Sequence, residues 1–115
     1  MSEVFDKWTI QARKGLLELC ILNALSARER YGYELVKALV TTPGLFITES
    51  TLYPLLSRLR VQGLVQTRLE ESPEGPARKY YSLTSKGEEA ADRMNEHLEL
   101  VVEGIRRARN EEGTT

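Results

Sequence analysis

Leu52, Leu55, Leu56 and Leu59 recur at i, i+3, i+4 and i+7, which places four leucines on one face of a helix. Thr48 is positioned to cap that helix, Ile47 to staple onto Leu52, and Gly63 to stop it. Upstream, "TIQARKGLLELCILNAL" predicts a first helix over residues 9–27, with Leu17, Cys20, Ile21, Ala24 and Leu25 in one stripe. "YGYELVKALV" predicts a second helix with Leu35, Val36 and Leu39 inward, ending at the turn residues Pro43 and Gly44 before a short extended "LFI". After Gly63 the period changes to two. Residues 64–70 and 78–84 read as strands, and the polar "ESPEGPA" between them as the loop of a hairpin.

A last helix opens at Ser85, which pairs with Glu88 as a capping box while Thr84 competes as the cap. Ala91, Met94, Leu98, Val101, Ile105 and Ala108 then step by three and four in a coiled-coil-like seam. Such a helix runs on the order of 35 Å at ~1.5 Å per residue, so it projects past a compact core and its seam needs another surface. The first helix shows a related excess: Leu16, Leu19 and Leu22 widen its apolar surface beyond one stripe. Both features predict a partner chain.

Three helices followed by a hairpin is the order of a winged helix-turn-helix. The predicted fold is therefore mainly α with a small β-hairpin: a winged helix-turn-helix over residues 1–83, a long dimerisation helix over 84–110 and a flexible tail over 111–115. With its leucines inward, the third helix turns Ser50, Thr51, Tyr53, Pro54, Ser57, Arg58 and Val61 outward. Short hydroxyl side chains let a backbone approach closely, and a guanidinium can grip a guanine through two bonds. Pro54 cannot donate to the carbonyl of Ser50, which costs least if the regular helix starts near Thr51. Either way, the hydroxyl residues before it sit on an irregular first turn aimed off the helix end, where free amides favour an anion. Glu49 opposes this, since a carboxylate there repels phosphate.

Composition narrows the function. The chain has 115 residues, 41% of them hydrophobic, and a formal net charge of −1, so bulk charge does not draw it to nucleic acid. The charge is uneven. Arg58, Arg60, Arg68, Arg78, Lys79 and Lys86 outnumber Glu49, Glu70, Glu71 and Glu74 between Thr48 and Lys86, whereas acids dominate from Gly87 onward. One cysteine, Cys20, permits no internal disulfide and reads as a packing residue of a reducing compartment. No apolar stretch is long enough to span a bilayer and the start lacks a signal-peptide pattern, so the expected location is cytoplasmic, with no membrane partner. His97 is the only histidine and has no ligand-spaced neighbour. Neither a metal site, a cofactor motif nor a positioned nucleophile is present in the sequence, and no enzymatic activity is expected.

The segments "GLLELCILNAL", "YGYELVKAL", "TESTLYPLLSRL", "QGLVQTRLE" and "GPARKYYSLTSKG", in this order and spacing, resemble the PadR family of bacterial and archaeal transcriptional regulators. The resemblance implies a homodimeric winged-helix repressor that binds a two-fold operator on double-stranded DNA. By the same resemblance Thr51, Tyr53 and Arg58 match recognition-helix contacts, and Arg78 and Lys79 match the basic end of the wing. Leu16, Leu19, Met94, Leu98, Val101 and Ile105 are the expected dimer-interface residues. Where similar multidrug-sensing members place a tryptophan on the last helix, this chain has Leu98. Trp8, from the other helix, and Leu98 are therefore the candidates to line an effector site. Two positions depart from the family pattern: Ser50 stands where glycine is usual, and Arg60 where glutamate is usual. The alternative reading is a winged-helix protein-interaction module that does not bind DNA.

Overall fold

The computed structural model describes residues 2–110; the tail expected over 111–115 lies outside them. Its elements are α1 (Glu3–Arg13), α2 (Leu16–Ser26), β1 (Arg30–Tyr31), α3 (Gly32–Val40), α4 (Glu49–Val61), β2 (Val65–Ser72), β3 (Gly75–Leu83) and α5 (Ser85–Arg109). The single first helix expected over 9–27 is in fact two. Gly15 adopts φ +82°, a left-handed conformation open to glycine, and the chain turns there before α2 starts. A second difference is β1, a two-residue strand where the start of a helix was expected. Arg30 pairs with Tyr81 and Tyr31 with Tyr80, so the hairpin becomes a three-stranded antiparallel sheet ordered β1-β3-β2.

The hairpin is also longer than its composition suggests. Ser72 pairs with Gly75, leaving Pro73 and Glu74 as a tight turn, with an irregularity between Glu70 and Ser72 that lets the polar loop join the ladder. The expected extended "LFI" is not a strand, and its Phe46 has φ 52°. Ile21, Leu22, Leu35, Leu52, Leu56, Leu59 and Val65 are the largest fully buried side chains, so α2, α3, α4 and β2 all contribute to one core.

α4 starts at Glu49, with Thr48 as its cap residue, and continues through Pro54 rather than starting near Thr51. The carbonyl of Thr48 accepts from the amides of Thr51 and Leu52, each at 3.1 Å. Its hydroxyl caps no amide and instead meets the hydroxyls of Ser50 at 3.0 Å and Thr51 at 3.1 Å. The helix ends at Val61, and Gly63 beyond its Gln62 cap has a φ of +80° that lets Leu64 donate to the carbonyl of Leu59 at 3.0 Å.

α5 is capped by Thr84, which accepts from the amide of Gly87 at 3.0 Å; of the two expected caps, Thr84 is the one used. Its first half lies on α2 of the same chain, where Asn23 and Asn95 exchange side-chain hydrogen bonds of 2.9 and 2.7 Å. Leu19 is thereby buried within the chain itself and Leu98 half-buried, while Leu16, Val101 and Ile105 remain exposed. The second half of α5 runs clear of the core, and the described residues extend 66 × 35 × 21 Å.

Candidate nucleic-acid interface

α4 is divided along its length. Leu52, Leu56 and Leu59 are buried and Leu55 half-buried, whereas Ser50, Thr51, Tyr53, Pro54, Ser57 and Arg58 are all exposed. The exposed residues border two open grooves. One, of about 510 Å³, lies between α4 and the sheet and is lined by Tyr31, Tyr33, Tyr53, Ser57 and Lys79 among others. The second, of about 560 Å³, lies between α4 and the α1–α2 junction and is lined by Lys14, Ser50, Thr51, Pro54 and Arg58 among others. Hydroxyls and cations thus stand on both flanks of the helix.

The wing separates the two basic residues assigned to it. Successive strand residues point to opposite faces. Lys79 shares its face with Tyr81 and lines the groove beside α4, while Arg78 lies on the far face. Arg78 does not line that groove; it sits 5.1 Å from the ring centre of Tyr31, a residue that does border it, and across the ladder from Glu70. Lys79, rather than Arg78, is the wing cation next to α4. The same far face holds Tyr80, with Arg68 at 4.6 Å from its ring centre.

Arg68 also clamps Glu29, donating from Nε to Oε2 at 3.0 Å and, over a second bond of 2.5 Å, from Nη2 to Oε1. These hydrogen bonds hold the Glu29 carboxyl below its ordinary range and push the Arg68 guanidinium higher still. Burial pushes the Tyr81 hydroxyl up, which suits its place against the core, and raises the half-buried Cys20 thiol, as expected of a packing residue.

Arg58 has a partner that its own helix does not reveal: its guanidinium donates to Glu18 of α2. Arg60 is exposed and forms no ion pair among the described residues. On α1, Trp8 is 61% exposed and stacks on Phe5, with ring centres 6.3 Å apart. Leu98 lines a cleft of about 400 Å³ with Gly15, Leu16, Leu19, Arg93, Met94 and His97. Trp8 does not line it, so the two effector candidates are apart within one chain. No group of three metal-ligating side chains occurs among the described residues. None of their helices is long and apolar enough to cross a membrane.

The model of the transcriptional regulator PadR-like family matches residues 21–93. The transcriptional regulator YqjI of Escherichia coli is 33% identical over 94 residues, which are 80% of this chain and 44% of that protein. The chain therefore spans less than half the length of that relative. A PadR-like transcriptional regulator from Bacillus cereus superposes with a TM-score of 0.75 at 38% identity, over 85% of this chain and 95% of the other. A PadR family regulator from Eggerthella lenta superposes with a TM-score of 0.79 at 29% identity, over 92% of each chain. The family match runs from the core of α2 through α4 and the wing into α5, and the same elements superpose on solved regulators: the chain belongs to the PadR-like family of transcriptional regulators.

Proposed function

We propose that the chain works as a homodimeric repressor bound to a two-fold site on double-stranded DNA, each α4 entering a major groove and each wing following the backbone beside it. The observation that carries this reading is the division of α4. Its leucines are committed to the core, and its hydroxyls, Tyr53 and Arg58 stand exposed between two open grooves. Such a DNA target supports a cytoplasmic location.

The homodimer rests on apolar surface that one chain leaves uncovered. Ile105 is 63% and Trp8 61% exposed, and Val4, Phe5, Ile10 and Val101 join them on α1 and α5. Two reading heads then fall on half-sites about 34–36 Å apart, or a multiple of that. The cleft at Leu16, Met94 and Leu98 adjoins this surface and is the seat for a small-molecule effector. Filling it shifts the two heads relative to each other, which is coupling by geometry.

The test is a titration with the DNA upstream of its own operon at two salt concentrations. Retardation that weakens steeply with salt is the expected result. Absence of both retardation and salt slope supports a protein-interaction module instead.

A further inference from the structure

Only one flank of α4 has a wing. A helix seated in a major groove about 12 Å wide is bordered by the phosphates of both strands. The flank away from the wing therefore faces a second rail of negative charge. On that flank Arg58 is paired with Glu18 in the free chain, and Glu49 at the start of α4 adds a further carboxylate. Positive charge to offset them comes from the α1–α2 junction.

Arg13 and Lys14 close α1, and neither is in an ion pair among the described residues. Lys14 lines the same groove as Ser50, Thr51 and Pro54. The turn at Gly15, with φ +82°, separates α1 from α2 directly after it. Arg13 lies 5.7 Å from the ring centre of Phe46, in the segment leading into α4. Phe46 is 77% exposed and, among the described residues, is the non-glycine residue with positive φ. That backbone state is strained for a residue with a side chain, and burial of the ring does not offset it. Its structural consequence is a ring beside the α1 terminus, over which Arg13 rests. A guanidinium held by a ring face keeps its N–H donors free for phosphate.

We propose that the α1–α2 junction is a second DNA-backbone contact, in which Lys14 and Arg13 bind phosphates of the strand across the major groove from the wing. The inference rests on the DNA-binding reading above. Backbone contacts are independent of base sequence, so a labelled duplex of mixed sequence is the probe, read by fluorescence anisotropy over a series of salt concentrations. For the double variant Arg13→Gln/Lys14→Gln, the slope of log affinity against log salt becomes shallower by roughly 0.9 for each phosphate that is no longer neutralised. Lys14→Arg keeps the wild-type slope. Lys7→Gln also keeps it, because Lys7 does not line that groove and is paired with Glu3 at 3.1 Å. Melting curves and sedimentation of each variant are compared with wild type alongside. A wild-type slope in the double variant, or an equally shallow slope in Lys7→Gln, overturns the junction contact and leaves DNA binding standing. A wild-type protein with no salt-dependent binding overturns the DNA reading and this inference together.

Discussion

The guanidinium of Arg58 donates to the carboxylate of Glu18, joining α4 to α2 across 40 positions of sequence. Arg58 thus has two potential acceptors for its N–H groups, a carboxylate in the free protein and a phosphate or base edge in a complex. The pair is partly exposed, at 53% for Arg58 and 25% for Glu18, so its contribution to folding is below about 1 kcal/mol. Arg58→Ala therefore leaves the urea midpoint almost unchanged while operator affinity falls on the order of tenfold, about 1.4 kcal/mol. Tyr53→Phe weakens the same binding with the dimer intact. Glu18→Gln releases the guanidinium and strengthens binding at low salt. Unchanged affinity in both Arg58→Ala and Tyr53→Phe moves the reading face elsewhere.

The α5 seam is tested at its exposed end. Leu98→Glu is expected to split the dimer, but Leu98 is half-buried in the cleft of its own chain, so the charge also strains the protomer. Ile105→Glu avoids this because Ile105 is 63% exposed. It should move the sedimentation profile from dimer to monomer without loss of helical circular dichroism. A dimer that survives both substitutions contradicts the seam.

Gly87 is held by close backbone approach. A Cβ there would stand 2.0 Å from the carbonyl oxygen of Leu64, the same oxygen that accepts the Thr84 amide at 3.1 Å. Gly87→Ala must push α5 away from the α4–β2 junction, and it should cost about 3 kcal/mol or more by urea unfolding. Gly32→Ala is crowded by the ring edge of Tyr81, at 2.9 Å, while the nearest backbone atom, the Lys79 carbonyl oxygen, is at an ordinary 3.6 Å, and a ring can shift. Its expected cost is nearer to about 1 kcal/mol. Equal destabilisation at the two sites refutes the distinction.

The Glu29–Arg68 clamp predicts a pH dependence. Hydrogen bonding from Arg68 lowers the Glu29 pKa in the folded chain. A depressed carboxylate pKa stabilises the fold fully above the unfolded value, about 4.3, and the contribution is lost as pH falls through the folded value. Wild type should therefore exceed Glu29→Gln in stability near neutral pH, and the two should converge in acid. Parallel curves of urea midpoint against pH rule the clamp out as their source.

Much of the fold is legible locally. The leucine spacing of α4, the Gly63 stop, the competing caps Ser85 and Thr84 and the apolar seam of α5 each depend on residues within a few positions of one another. The split of Arg78 from Lys79 was legible too, since adjacent strand residues alternate faces. The break at Gly15 was harder to read, because apolar residues continue on its C-terminal side and glycine is tolerated within helices at about 1 kcal/mol. β1 is beyond local pattern: two residues form a strand only because β3 offers them a free edge.

By itself the sequence determined which residues turn inward and which helix carries hydroxyls and a guanidinium outward, because periodicity and caps act over one or two turns. The tertiary structure decided which outward groups are free. It paired Arg58 with Glu18, tied Arg68 to Glu29 39 positions away, buried Leu19 within its own chain, and set Lys14 beside Thr51. Charge pairing and burial depend on distance in space, and chain spacing carries that distance only within a single element.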